Sequence, residues 1–122
     1  MSDSFLAISG SIGKDPELRY TNSGRAICTF PVAVSRRYKK DDVWVEETAW
    51  WDVTVWGDMA ENIAATCFKG TRVMCHGYTK QEEWEDKNGG GKRTKMVLVA
   101  DEVGASLRWA TATVDKVERE RS

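Results

Sequence analysis

Between Ala26 and Val34 one alternate set of side chains is wholly apolar: Ala26, Cys28, Phe30, Val32 and Val34. Period two places these five on one side of an extended strand, with Thr29, Pro31 and Ser35 on the other. A strand apolar on one side needs partners that cover that side, so the chain has to supply further strands of the same kind. Pro31 has no N–H to give to a ladder, and its position is expected at an edge or a bulge.

Further strands follow. Phe5–Ile12 is apolar with small residues and stops at Gly13, before the turn signal Lys14-Asp15-Pro16. Arg25–Ser35 is the second strand and Glu47–Trp56 the third, joined by a charged stretch, 36–47, that reads as a hairpin loop. Between Asp58 and Phe68 the period changes: Met59, Ile63 and Cys67 fall four apart with Ala60 and Ala64 beside them. Asp58 is placed to cap the start of this short amphipathic helix, and Gly70 to end it. Strands return at Arg72–Trp84 and Thr94–Val103 around Asp86-Lys87-Asn88-Gly89-Gly90-Gly91, a strong turn signal expected to form a flexible tip. The order predicts an all-β, five-stranded OB-fold barrel with one helix between strands 3 and 4. A chain of 122 residues suits one such domain, expected over 1–114, with the charged 115–122 as a disordered tail.

Several function classes fit poorly. The three cysteines, Cys28, Cys67 and Cys75, form no C-x-x-C pair and sit among apolar neighbours; buried thiols are expected rather than a zinc site or disulfides. His76 is the only histidine, which disfavours histidine metal sites and triads. Glycines 89–91 lie between strands, not before a helix, so they are no phosphate loop. No catalytic residues, metal or cofactor are expected. Neither a secretory signal nor a bilayer-length apolar run is present, so a cytoplasmic chain without a membrane partner is expected. A net charge of −1 argues mildly against a polyanion partner, but binding depends on where the charges lie.

Six tryptophans exceed what a small core usually takes. In Thr48–Trp56, Trp51, Val53 and Val55 share the side that suits a core. Trp50, Asp52, Thr54 and Trp56 share the other, a poor core composition, so Trp50 and Trp56 belong outside. Tyr78, Lys80, Glu82 and Trp84 repeat the mixture, and Tyr38 stands among Arg36, Arg37, Lys39 and Lys40. Flat exposed rings beside cations suit single-stranded nucleic acid: each unpaired base has a π-face, and stacking contributes about 1–3 kcal/mol per base. Any one of these tryptophans alone could pack against a loop or subunit instead. Trp44 is undecided, and Trp109 is expected to anchor the C-terminal segment.

The cations are less specific. Arg36, Arg37, Lys39 and Lys40 are followed at once by Asp41, Asp42, Glu46 and Glu47, which suits a salt-bridged loop as well as phosphate contact. Lys80 stands on the Trp84 face, while Lys92, Arg93 and Lys95 flank the glycine tip and could close on a strand. The acids Glu82, Glu83, Glu85 and Asp86 around Trp84 are unexpected beside a phosphate partner.

In order and spacing, these stretches resemble the bacterial and bacteriophage single-stranded DNA-binding proteins, the SSB family, and their actinobacterial branch in particular. The resemblance is carried by Gly10-x-x-Gly13-x-Asp15-Pro16-Glu17-Leu18-Arg19-Tyr20, Ala26–Phe30, Trp50 through Gly57, Ala60-Glu61-Asn62, Lys69-Gly70-x-x-Val73, Gly77 to Trp84, and Glu102 to Ala112. It implies stacking roles for Tyr38, Trp50, Trp56 and Trp84, and basic contacts at Arg19 and Lys69. It also implies a DNA-wrapping homotetramer acting in replication, recombination and repair. Full-length members end in a glycine-rich linker and an acidic tip that recruits replication and repair proteins; neither is seen here. Trp51 stands where relatives carry a histidine near a subunit contact. Ala105–Val114 matches a segment able to form an extra, subunit-clamping strand that would include Trp109. The main rival is an OB-fold using the same aromatic face as a dry protein-docking surface; RNA is a further partner that stacking alone does not exclude.

Overall fold

A computed structural model describes residues 4–118. The elements are β1 (Leu6–Ile12), β2 (Glu17–Tyr20), β3 (Ala26–Lys40), β4 (Val43–Trp56), α1 (Asp58–Thr66), β5 (Arg72–Glu85) and β6 (Lys92–Ala105). The strands run in the order β1-β5-β6-β4-β3-β2, and β1 also pairs with β3. That pairing closes a five-stranded barrel, with β2 as a short addition along β3. The expected OB-fold barrel and its single helix are present. Counting β2, the helix lies between β4 and β5.

Burial follows the period of two. Ala26, Cys28, Phe30 and Val32 on β3, with Val53 and Val55 on β4, point into the barrel. Val73 and Cys75 on β5 and Leu98 and Ala100 on β6 complete the wall. Each such side chain of Val or Leu size contributes roughly 1.5–3 kcal/mol by leaving water. Helix α1 covers one end through Ala60, Ile63 and the following Cys67. All three cysteines are free and buried, and burial pushes the thiols of Cys28 and Cys75 up to about 11 and about 12. Closure depends on Gly10: a Cβ there would lie 2.2 Å from the Ala33 carbonyl oxygen, where β1 crosses β3. Pro31 falls where β3 changes partner from β2 to β1; its carbonyl accepts the Gly13 N–H, and no ladder bond needs its nitrogen.

Some expectations are corrected. The charged stretch 36–47 is not a loop. β3 and β4 pair without a break from Ile27↔Trp56 to Lys40↔Val43, leaving only Asp41 and Asp42 as a turn. Both carry positive φ (49° and 63°), as a two-residue hairpin turn requires, and aspartate tolerates that region better than most residues. The helix N-cap is Gly57, not Asp58, which occupies the first turn, where its charge suits the helix dipole. The helix ends at Thr66, with the Cys67 N–H bonded to Ile63; Gly70 belongs to the next turn. The Asp86–Gly91 turn carries hydrogen bonds of its own. Asp86 accepts from Asn88 N–H and takes both Nε and Nη2 of Arg93 at 3.1 and 3.0 Å. These bonds lower the Asp86 carboxyl pKa, Asn88 first. Beyond Ala105 no described residue is in a strand, so Ala105–Val114 adds none within this chain. Trp109 instead is exposed and has the guanidinium groups of Arg72 and Arg108 over its ring, 4.9 and 4.7 Å from its centroid. Residues 115–118 are exposed and without regular structure, and 119–122 of the expected tail lie outside the described residues.

Candidate nucleic-acid interface

Strand register decides which side chains share the outer face. Trp50, Asp52, Thr54 and Trp56 of β4 stand opposite Ala33, Pro31, Thr29 and Ile27 of β3. Across the other edge of β4, Asp52 and Thr54 align with Val97 and Val99 of β6. Those valines face Lys80 and Tyr78 of β5, and Lys95 and Arg93 face Glu82 and Trp84. One continuous face therefore carries Trp50, Trp56 and Trp84, the three tryptophans that parity selects.

Between the rings lies a groove of about 440 Å³, with Thr29, Pro31, Asp52, Thr54 and Val97 along its floor. Arg19, Lys14 and Lys95 line it with Asp15, Glu17 and Glu82. It runs into a more open hollow beside Trp84 that shares Glu82 and Lys95 and adds Lys80. Lys95 joins the two: its ammonium is 3.2 Å from the Asp52 carboxylate and 5.6 Å from the Trp84 ring centroid. Thr54 is buried although it faces outward, because Thr29 and Val99 flank it in register.

The rings differ in setting. Trp50 is 62% exposed and Trp84 46%. Trp56 is half-buried, with the Arg25 guanidinium 4.3 Å over its ring. Trp51 is half-buried on the opposite, core-side parity, where β4 leaves the barrel. Tyr38 also has that opposite parity: it pairs with Val45, so it faces away from Trp50 across the β3–β4 ribbon. Its hydroxyl donates to Glu47 Oε1 at 2.6 Å, which raises the phenol pKa, and Arg36 lies 3.7 Å from the same carboxylate.

The expected phosphate ligands separate into groups. Arg19 and Lys80 line the groove and the hollow. Lys69 lies on the turn after α1, where its N–H donates to Asp15 Oδ1 at 2.7 Å and holds that turn against the groove edge. Arg37 and Lys39 stand on the Trp50 side of the ribbon, Arg36 on the reverse. Lys92 is exposed at the start of β6, opposite Glu85. Arg93 is held by Asp86. The acids near Trp84 also sort themselves: Glu82 shares Trp84's parity and faces Lys95 in register, Glu83 and Glu85 have the other parity, and Asp86 braces the tip. Arg25 was not legible as a site residue, because its contact with Trp56 depends on pairing between residues 31 positions apart. Among the described residues no cluster of three or more His, Cys, Asp or Glu could hold a metal, and no helix is long and apolar enough to cross a membrane.

Comparison with known proteins agrees with this geometry. The model of the single-strand binding protein family matches residues 4–106. The single-stranded DNA-binding protein of Paenarthrobacter nicotinovorans is 39% identical over 117 residues, which are 93% of this chain and 68% of that protein. That of Mycobacterium leprae is 38% identical over 120 residues, 96% of this chain and 71% of that protein. The crystal structure of the small single-stranded DNA-binding protein from Streptomyces coelicolor shares the fold, with a TM-score of 0.74 at 23% identity, covering 88% of this chain and 97% of that one. The closed barrel, its aromatic outer face and the match along nearly the whole chain have one consequence: the chain belongs to the single-strand binding protein family.

Proposed function

We propose that this chain binds single-stranded DNA without sequence preference, stacking bases on Trp50, Trp56 and Trp84 and neutralising phosphates with Arg19, Lys69, Lys80 and neighbouring cations. The observation that carries this reading is the placement of three tryptophans on one sheet face, with a groove lined by both cations and acids between them. Exposed indoles offer flat surfaces to bases of any identity, and the mixed walls offer no patterned set of donors to select one base. Tyr38 serves a strand that crosses to the reverse of the ribbon, with Arg36 beside it. Lys92 and Arg93 act at the rim of the β5–β6 hairpin. Relatives of this family carry the name single-stranded DNA-binding protein, which supports the same ligand here.

Protection of single-stranded DNA in the cytoplasm during replication, recombination and repair follows from such binding, with no chemical step. The binding domain spans 1–114, with 115–122 as a tail. A homo-oligomer, a tetramer in the family pattern, belongs to the same proposal. It is supported by exposed Phe5 and Met74 beside an apolar hollow of about 440 Å³ on β1, β5 and β6. Contacts with replication and repair proteins are part of the same proposal.

A fluorescence titration tests the reading. Oligo(dT) should quench the tryptophan emission strongly, with affinity falling as salt rises. Absence of quenching at low salt would overturn DNA binding and favour a protein partner on the aromatic face. Tighter binding of oligo(U) than of oligo(dT) would transfer the site to RNA.

A further inference from the structure

The geometry points to Trp44, with Arg37 and Lys39, as a second stacking station that carries the strand outward from the groove along the β3–β4 ribbon. This rests on the binding reading above and extends its site. Register is unbroken over the whole of β3 and β4, so the Trp50 parity passes through Thr48/Ser35 and Glu46/Arg37 to Trp44/Lys39. The Thr48 and Ser35 hydroxyls hydrogen-bond at 3.0 Å and hold the two strands together midway. β1 pairs with β3 only as far as Ala33, and β6 with β4 only from Asp52 onward, so the ribbon beyond projects with both faces in solvent.

The two faces of the ribbon differ in charge state. On the reverse, Glu47 takes both the Tyr38 hydroxyl and Arg36, so one of the two cations of that parity, Arg36 and Lys40, is in an ion pair. On the Trp50 side, Arg37 and Lys39 stand 5.4 and 5.9 Å from the Trp44 centroid, and among the described residues neither is in an ion pair. Trp44 itself is 61% exposed. An indole with two cations beside it, neither in an ion pair although Glu46 stands opposite Arg37, provides both terms that a single strand requires, a stacking plane and charges for phosphates. At about 3.4 Å per residue, Trp44 lies roughly 20 Å beyond Trp50 along the ribbon, too far for one base to span and near enough for a continuous strand.

Binding of oligo(dT) of increasing length to the full chain tests this, comparing the parent with Trp44→Ala and Trp50→Ala. Trp44→Ala should match the parent on the shortest oligomers that bind and fall behind by roughly tenfold on longer ones. Trp50→Ala should be weaker at every length. Arg37→Ala and Lys39→Ala should each lower the salt slope on long oligomers by about 0.7. Trp44→Phe keeps a stacking ring and should recover most of the loss, and Arg37→Glu should weaken long oligomers even if Trp44→Ala folds poorly. Parent-like affinity of Trp44→Ala at all lengths, with Trp50→Ala weakened, overturns the ribbon path and leaves the groove intact. If the parent itself fails to bind at low salt, the groove reading falls and the ribbon path with it.

Discussion

The indole of Trp50 lies over Gly13: a Cβ built at Gly13 would stand 2.4 Å from Cζ3 and 2.7 Å from Cη2 of that ring. The floor beneath the most exposed tryptophan of the groove is thus a missing side chain. Gly13 follows β1, and its N–H bonds to Pro31 O, so its backbone is held by the same strand change that places Pro31. The ring, not the backbone, must yield to any added atom.

Gly13→Ala should therefore displace the Trp50 indole while leaving the barrel folded. Affinity for oligo(dT) should fall by up to the value of one stacked base, about 1–3 kcal/mol. Trp50→Ala should cost a similar amount, and the double variant little more than either alone, since both remove one platform. Additive losses in that cycle would show that Gly13 acts on something other than Trp50.

The ion pair on the groove floor gives a prediction of opposite signs. Asp52 is the acid nearest the centre of the face, and it holds Lys95 at 3.2 Å. Asp52→Asn removes a negative charge and frees that ammonium for phosphate, so DNA binding should tighten, with a steeper salt dependence. Lys95→Ala should weaken binding and reduce the salt slope by about 0.7. Both side chains are about half exposed, so stability should change by no more than about 1 kcal/mol in either variant. Unchanged affinity in both would place the DNA path away from the floor.

What the sequence made legible, and what it did not, follows from where one face is buried. Val53 and Val55 against Trp50 and Asp52 could be separated by alternation, because one side of β4 meets the core and the other does not. The ribbon 36–47 has solvent on both sides, so no alternation marks it, and a charged strand there looks like a loop. β2 escaped notice for a similar reason: of its four residues only Leu18 packs against the core. Trp50, Trp56 and Trp84 were recoverable from parity within single strands. Arg25 over Trp56 and Gly13 under Trp50 were not, since each needs two segments brought together. Tyr38 was grouped with the other rings by charge context, but its register partner Val45 lies an odd offset of five positions from Trp50 and so on the other face, and only continuous pairing reveals it.

The buried thiols predict both reactivity and pH dependence. Burial, together with the neighbouring Cys67 thiol, raises Cys75 from the ordinary 9.0 to about 12 and Cys28 to about 11; Cys67 is raised by burial too. Thiolate is the reactive form, so all three should resist alkylation in the folded chain at pH 8 and react on unfolding. Between pH 9 and 12 the folded chain keeps thiol protons that the unfolded chain loses, so stability falls as pH rises through that window. Below pH 9 these groups contribute no slope. Denaturant unfolding at pH 7, 9 and 10.5 would show it, with Cys75→Ala as the comparison: the variant starts less stable but should lose less on going from pH 9 to 10.5. An identical loss in parent and variant would assign the alkaline slope to other groups, and rapid alkylation of Cys75 in the folded chain would show that the barrel opens at β5.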